Sequence, residues 1–199
     1  MNTLATARPL FVAEGVRCVE LKYEEAPRLQ RFFEENPEYY ISVNGDPPGP
    51  NQALEEFEIQ LPAEWPFEKK WLLGFIQDNG SMIGMADLIS NLFAEGVWHI
   101  GLFIVSTSLH GSGTAHALYN ELESWMRGHG GRWARLGVVE GNVRAERFWE
   151  RVGYVDLRRR LGVEMGSKVN NLRVMAKPLA GGSLAEYLQL VARDRPESA

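Results

Sequence analysis

Cysteine is almost missing from this 199-residue chain. Cys18 stands alone, so no intrachain disulfide can form, and the composition suits a reducing compartment. Cys18 falls in the apolar alternation from Val16 to Leu21 and reads as a small core residue rather than a nucleophile. Long apolar runs are absent too: none reaches the roughly 18 residues of a membrane span. The N-terminus lacks the basic start and apolar stretch of a signal peptide. These absences lead us to expect a cytoplasmic protein without membrane attachment. Positive charge is not in excess: 21 Lys and Arg face 26 Asp and Glu, a formal net charge of −5, which argues against a nucleic-acid partner. Neither an internal repeat nor a low-complexity block is present. What remains is 45% hydrophobic and 11% aromatic, ordinary values for one globular domain with a substantial core.

Periodicity orders the chain. Residues 1–14 read as a loose leader, and Val16 to Leu21 as the first strand. Glu24 to Glu35 carries Leu29, Phe32 and Phe33 at helical spacing, with Pro27 tolerated in the first turn. Tyr39 to Val43 reads as a short extended piece, Asn44 to Pro50 as a loop and Gln52 to Gln60 as a short acidic helix. Trp71–Gln77 and Ser81–Ile89 are strands joined by Asp78-Asn79-Gly80, a hairpin signal. Gly96–Val105 is the next strand, and Gly113–Gly128 a long amphipathic helix. Arg132–Val139 (strand) and Val143–Arg151 (helix) follow. Tyr154–Leu161 and Asn171–Pro178 make a terminal strand pair around a Gly/Ser/Asn-rich loop. Ser183–Ala192 is a last helix, with Glu186 at the capping-box spacing. The order implies a mixed α+β fold with one sheet flanked by helices. The domain spans 15–180, and 181–199 forms a C-terminal helix and tail.

The most informative stretch runs from His99 to Tyr154. An apolar strand leads through a turn into His110-Gly111-Ser112-Gly113-Thr114-Ala115 and straight into the long helix. Free backbone N–H groups and the positive end of a helix dipole meet there, which makes an anion site and points to a phosphate-bearing ligand. A Walker loop requires Lys after the second glycine, and none follows Gly113. The dinucleotide fingerprint needs a third glycine, where His116 or Ala117 stands. A plain tight turn before a helix is the remaining alternative.

The loop together with Asn142, Ala145, Phe148, Trp149, Gly153 and Tyr154 resembles the GNAT superfamily of acyl-CoA-dependent N-acyltransferases. Its two signatures are Arg/Gln-x-x-Gly-x-Gly/Ala and Asn-x-x-Ala-x-x-Phe-Tyr-x-x-x-Gly-Phe. Both occur here in order, separated by a helix and a strand, over roughly a quarter of the chain. The resemblance implies a GNAT-like fold: a central, mostly antiparallel twisted sheet of about seven strands flanked by helices. It also implies an N-acetyltransferase moving an acetyl group from acetyl-CoA, as cosubstrate, to a primary amine within a ternary complex. No metal is expected. The alternative is a non-catalytic acyl-CoA-binding or sensing domain of the same fold. Two departures stand out: His110 replaces Arg or Gln, and Trp149 replaces the tyrosine that protonates the leaving thiolate in many relatives. An indole N–H has no useful acidity.

The resemblance further implies which residues bind and react. The pantetheine arm is expected along Phe103, Ile104 and Val105, where the strand splays from its neighbour, with the N–H near Ile104 stabilising the oxyanion. The pyrophosphate is expected on the backbone of Gly111, Ser112, Gly113, Thr114 and Ala115, with His110 or the Thr114 hydroxyl assisting. Asn142 serves as pantetheine partner, helix N-cap or both, while Phe148 and Trp149 wall the thioester. His99 is the candidate base, because imidazole titrates near neutral pH. Asp87 and Glu95 are fallback carboxylates. His116 and His129 are not expected to act in catalysis, and Tyr154 reads as core. The acceptor is a small-molecule or protein amine. Acidic residues dominate between Glu14 and Glu68 and would draw a cationic amine if they wall the cleft, the alternative being a solvated helix face. Tyr39, Tyr40, Phe57, Trp65 and Phe67 either line a pocket or cover the sheet. The terminal strands or helix offer surfaces for a homodimer.

Overall fold

In a computed structural model describing residues 8–198, eight strands form one sheet in the order β1-β2-β3-β4-β5-β6-β8-β7. The strands are β1 (Phe11–Ala13), β2 (Val16–Glu20), β3 (Lys69–Ile76), β4 (Met82–Ser90), β5 (Val97–Val105), β6 (Trp133–Val139), β7 (Val155–Met165) and β8 (Lys168–Pro178). The helices are α1 (Ala26–Glu35), α2 (Glu38–Asn44), α3 (Gln52–Glu58), α4 (Thr114–Gly128), α5 (Val143–Arg151) and α6 (Leu184–Leu190). Every pairing is antiparallel except β5 with β6.

Several sequence expectations change here. The eighth strand, β1, lies inside the expected leader, where Phe11–Ala13 pairs with β2. The rest of that leader, residues 1–7, lies outside the described residues. Tyr39–Val43 is not extended but belongs to α2, which buries Tyr40 and Val43 at i,i+3 spacing and ends on Gly45 at φ +92°. The loop expected between the last two strands is mostly strand, because bulges near Arg160–Val163 absorb Gly162 and leave only a tight turn at Gly166-Ser167. The capping box of α6 forms as its spacing predicts.

Each face of the sheet has its own core. Leu73, Phe75, Leu88, Trp98, Leu118, Tyr119 and Leu122 pack with α4 and α5. Val19, Leu29, Phe33, Leu72, Ile76 and Met85 pack with α1–α3 on the opposite face. Each fully buried Leu or Phe stabilises the fold by about 1.5–3 kcal/mol. Cys18 lies in the first core, and burial pushes its thiol pKa up. A third cluster seats α6 against Trp133 through Tyr187 and Val191.

The sheet opens between β5 and β6. Their parallel pairing covers only Val97↔Trp133 to Ile100↔Leu136. Beyond it, β5 follows β4 to Val105 while β6 follows β8 to Val139. A bulge marks the start of the divergence: Asp87 faces Leu102 and Leu88 faces Ile100, leaving Gly101 as the extra residue. Glycine suits this place, since a Cβ there would lie 3.2 Å from the Asp87 Oδ2.

Candidate active site

Two cavities meet at the splay. On the α4–α5 side lies a groove of about 680 Å³, lined by Phe103, Val105, His110, Gly111, Gly113, Ala115, Asn142, Phe148 and Trp149. On the α1–α3 side lies a cleft of about 270 Å³, lined by His99, Ile100, Gly101, Arg135, Trp65 and Phe93 among others. Tyr39, Phe103, Asn142, Ala145 and Trp149 border both.

The loop at the groove mouth has the backbone of an anion cradle. Gly111 (φ +82°) and Gly113 (φ +92°) take left-handed conformations that side chains resist, and nothing within 4 Å crowds either one. Among the described residues, the N–H groups of Gly111, Gly113 and Ala115 have no protein acceptor, whereas Ser112 N–H bonds the Leu109 carbonyl and Thr114 N–H the Ser112 Oγ. His110 is held between two partners, donating from Nε2 to the Val105 carbonyl at 3.1 Å and accepting at Nδ1 from Arg144. Arg144, Arg147 and Arg151 of α5 line the same groove. Our sequence reading overlooked them, although their i, i+3, i+7 spacing marks one helix face.

Strand alternation decides which backbone groups face the gap. Ser106 N–H donates to the Ile83 carbonyl at 2.8 Å, so N–H groups of the same parity, including that of Ile104, face β4. Those of Phe103 and Val105 therefore face the splay. This corrects the expectation for Ile104, whose buried side chain belongs to the α1–α3 core. Asn36 fixes the end of β5 by accepting from the Thr107 N–H at 2.8 Å and the Ser106 hydroxyl at 3.1 Å.

Asn142 caps α5 by accepting from the Ala145 N–H at 3.3 Å, and it also borders both cavities. Trp149 is buried among Phe103, Tyr119, Phe148 and Tyr154. Phe148 stacks on Phe103 with centroids 5.8 Å apart. The Tyr154 hydroxyl accepts from Tyr119 at 3.0 Å within the core, and neither tyrosine lines either cavity.

His99 opens onto the cleft. Its Nδ1 lies 3.2 Å from both the Arg135 carbonyl and the Arg135 Nη1. Burial and the adjacent guanidinium push its pKa from 6.5 down to about 3, so the ring is neutral. Nδ1–H donating to the carbonyl leaves Nε2 as an acceptor, whereas Nδ1 accepting from the guanidinium puts the proton on Nε2; the first tautomer is the one a base requires. Arg135 is itself buried against Asp194, with contacts of 2.8 and 3.0 Å, and Tyr187 also donates to that carboxylate.

Asp87 lies on the His99 face of the sheet, behind Gly101, with Lys70 Nζ 3.6 Å from its Oδ2. Among the described residues its Oδ1 is buried without a hydrogen-bond partner, and burial raises its pKa to about 7. Glu95 lies in the turn before β5 and borders neither cavity. His129 caps α4 by bonding the Trp125 carbonyl, while His116 packs edge-on against Phe148 in the groove. Of the acidic residues between Glu14 and Glu68, only Glu38 lines either cavity, and it accepts from the Thr107 hydroxyl at 2.6 Å. Those acidic residues therefore do not wall the cleft. Of the aromatics expected near it, Tyr39 and Trp65 line it, whereas Tyr40 is core and Phe67 exposed.

The family model described as "Acetyltransferase (GNAT) family" matches residues 23–154, and the chain belongs to that family. A search of curated proteins finds no match. Among solved structures, the ribosomal-protein-S5-alanine acetyltransferase from Vibrio fischeri is similar at TM-score 0.66 and 13% identity, covering 87% of this chain and 98% of that one. The spermidine N-acetyltransferase from Vibrio cholerae, solved in complex with CoA and spermine, gives TM-score 0.63 at 14% identity, with 83% and 96% covered. The ribosomal-protein-S18-alanine N-acetyltransferase from Escherichia coli gives 0.61 at 15% identity, with 84% and 96% covered. At these identities the likeness shows the fold alone. No helix among the described residues is long and apolar enough to cross a membrane.

Proposed function

We propose that this protein transfers an acetyl group from acetyl-CoA to a primary amine by direct attack in a ternary complex. The observation that carries this reading is the splay, which joins an anion-cradling groove to a separate cleft through a shared wall of Tyr39, Phe103, Asn142, Ala145 and Trp149. The residues present fit the cosubstrate. The N–H groups of Gly111, Gly113 and Ala115 suit a pyrophosphate, and Arg144 and Arg147 supply charge beside them. Phe103 and Val105 offer gap-facing main-chain groups for the pantetheine arm, with Asn142 at hand. Acetyl-CoA supplies the activated acyl carbon. The chain's part is to hold donor and acceptor on opposite sides of one opening.

In this reading Phe103 N–H, rather than that of Ile104, stabilises the developing oxyanion. The acceptor attacks as the neutral amine, and His99 Nε2, through water, accepts its hydrogen bond and relays the proton released as the C–N bond forms. A C–N bond forms as the C–S bond breaks; of the two protons the ammonium loses, one ends on the thiol and the other in solvent. His99 is neutral throughout the working range, so the pH limb of kcat/KM follows the acceptor's own ammonium. A second reading makes Asp87 the base acting through water past Gly101, since it lines neither cavity; burial raises its pKa to about 7, which suits general-base work at neutral pH. The pH–rate profile tests both. A limb that moves with the acceptor's pKa, together with a lower kcat in His99→Ala, supports His99. A fixed limb near pH 7 that disappears in Asp87→Asn assigns the base to Asp87.

A further inference from the structure

The C-terminal tail reaches back into the acceptor cleft. Arg193, just beyond α6, lies over the Trp65 ring at 4.2 Å and the Phe93 ring at 4.5 Å. Arg160 enters the same cleft from β7, and Arg135 enters from β6. Asp194 neutralises Arg135 through two hydrogen bonds. Among the described residues, no carboxylate forms a salt bridge with Arg160 or Arg193, and no Asp or Glu lines the cleft. Burial first, then the neighbouring Arg135 charge, hold Arg193 below the usual arginine range; Asp194 partly offsets this, and Arg160 and Arg158 add further repulsion. Two net positive charges thus face a small chamber whose other walls include Leu136, Leu172 and Val174. A stacked guanidinium keeps its in-plane donors for a planar or tetrahedral oxyanion, the geometry in which arginine binds bidentately. The chamber has a roof as well. Asn170 Nδ2 donates to the Val43 carbonyl at 2.8 Å and Ser167 N–H to that of Asn44 at 2.8 Å, tying the β7–β8 hairpin to α2.

We propose that the acceptor is a small amine that also carries an oxyanion, carboxylate or phosphate, gripped by Arg193 and Arg160. This rests on the acetyl-transfer reading and names its substrate class. The two cations disfavour the ammonium form of a bound acceptor and so promote the neutral, nucleophilic amine. They repel diamines and polyamines.

Calorimetry on the full chain saturated with CoA tests this without requiring turnover. The probes are the common α-amino acids against their amides, O-phosphoethanolamine against ethanolamine, and cadaverine. Oxyanion-bearing amines are expected to bind at least about tenfold tighter than their neutral or dicationic counterparts. The carboxylate and phosphate arms identify which oxyanion is used. Arg193→Gln and Arg160→Gln should each remove about tenfold of that affinity while acetyl-CoA affinity stays unchanged. The inference is overturned if cadaverine or the amides bind as tightly, if no oxyanion-bearing amine binds, or if both variants leave binding unaltered. Failure of the transferase reading looks different: acetyl-CoA itself does not bind, or no amine of either class supports thiol release.

Discussion

His99 and Asp87 share one face of neighbouring strands, and burial displaces their pKa values in opposite directions. For His99, the folded value of about 3 lies below the ordinary 6.5, so the unfolded chain binds the extra proton between them. Its contribution to stability is present above pH 6.5 and is lost as pH falls toward 3. His99→Gln should therefore shrink the loss of stability between pH 7 and pH 4.5, read by urea denaturation. For Asp87, the folded value of about 7 lies above the ordinary 3.8, so the folded chain keeps the proton. Its contribution is present below pH 3.8 and is lost as pH rises through 7. Asp87→Asn should flatten the decline between pH 4 and pH 8; a slope unchanged from the parent would show that Asp87 titrates normally. Neither displacement was legible in the sequence. His99 owes its neutrality first to burial and then to Arg135 from another strand, and Asp87 owes its raised pKa to burial.

At the scale of elements, the legible parts were those written in local pattern. The strand–loop–helix unit from β5 to α4, the Asn142 cap, the Asp78-Asn79-Gly80 turn and the Ser183 capping box all depend on residues within a few positions of one another. The parts misread depend on distant partners. Tyr39 to Val43 is rich in residues that favour strands, yet it becomes helix because Tyr40 packs against Phe33. The tail looked like an appendage because Arg193 meets Trp65 and Phe93, and Asp194 meets Arg135, only after folding. The anion loop offers a direct test. Gly113→Asp adds a like charge and a side chain at φ +92°, and should weaken acetyl-CoA binding by more than about tenfold. A folded variant that keeps its affinity would show that the pyrophosphate lies elsewhere. The tail makes a second test. Asp194→Asn leaves Arg135 buried without its counter-charge and should cost about 3–5 kcal/mol in denaturant unfolding. A loss below about 1 kcal/mol would mean that water or another group compensates.

The whole molecule is a net anion with a locally cationic cleft, a contrast that composition cannot reveal. The formal charge of −5 argued against nucleic acid, and the acidic run from Glu14 to Glu68 suggested either attraction for cationic amines or a solvated helix face. Folding places most of those carboxylates away from both cavities and gathers Arg135, Arg160 and Arg193 from three distant segments. Added salt should accordingly raise the apparent KM for oxyanion-bearing acceptors. A rise confined to cationic acceptors would restore the acidic-wall reading. The central claim, that the two cavities flanking the splay hold acetyl-CoA and an amine together, is tested most directly by one experiment. Acetyl-CoA binding is measured by titration calorimetry, and thiol release is then followed on the same sample across amines of both charge classes. The account predicts binding, and thiol release only when an amine is present. Binding without release from any amine would contradict the transferase and leave a sensing domain, and a folded protein that fails to bind acetyl-CoA would contradict the site itself.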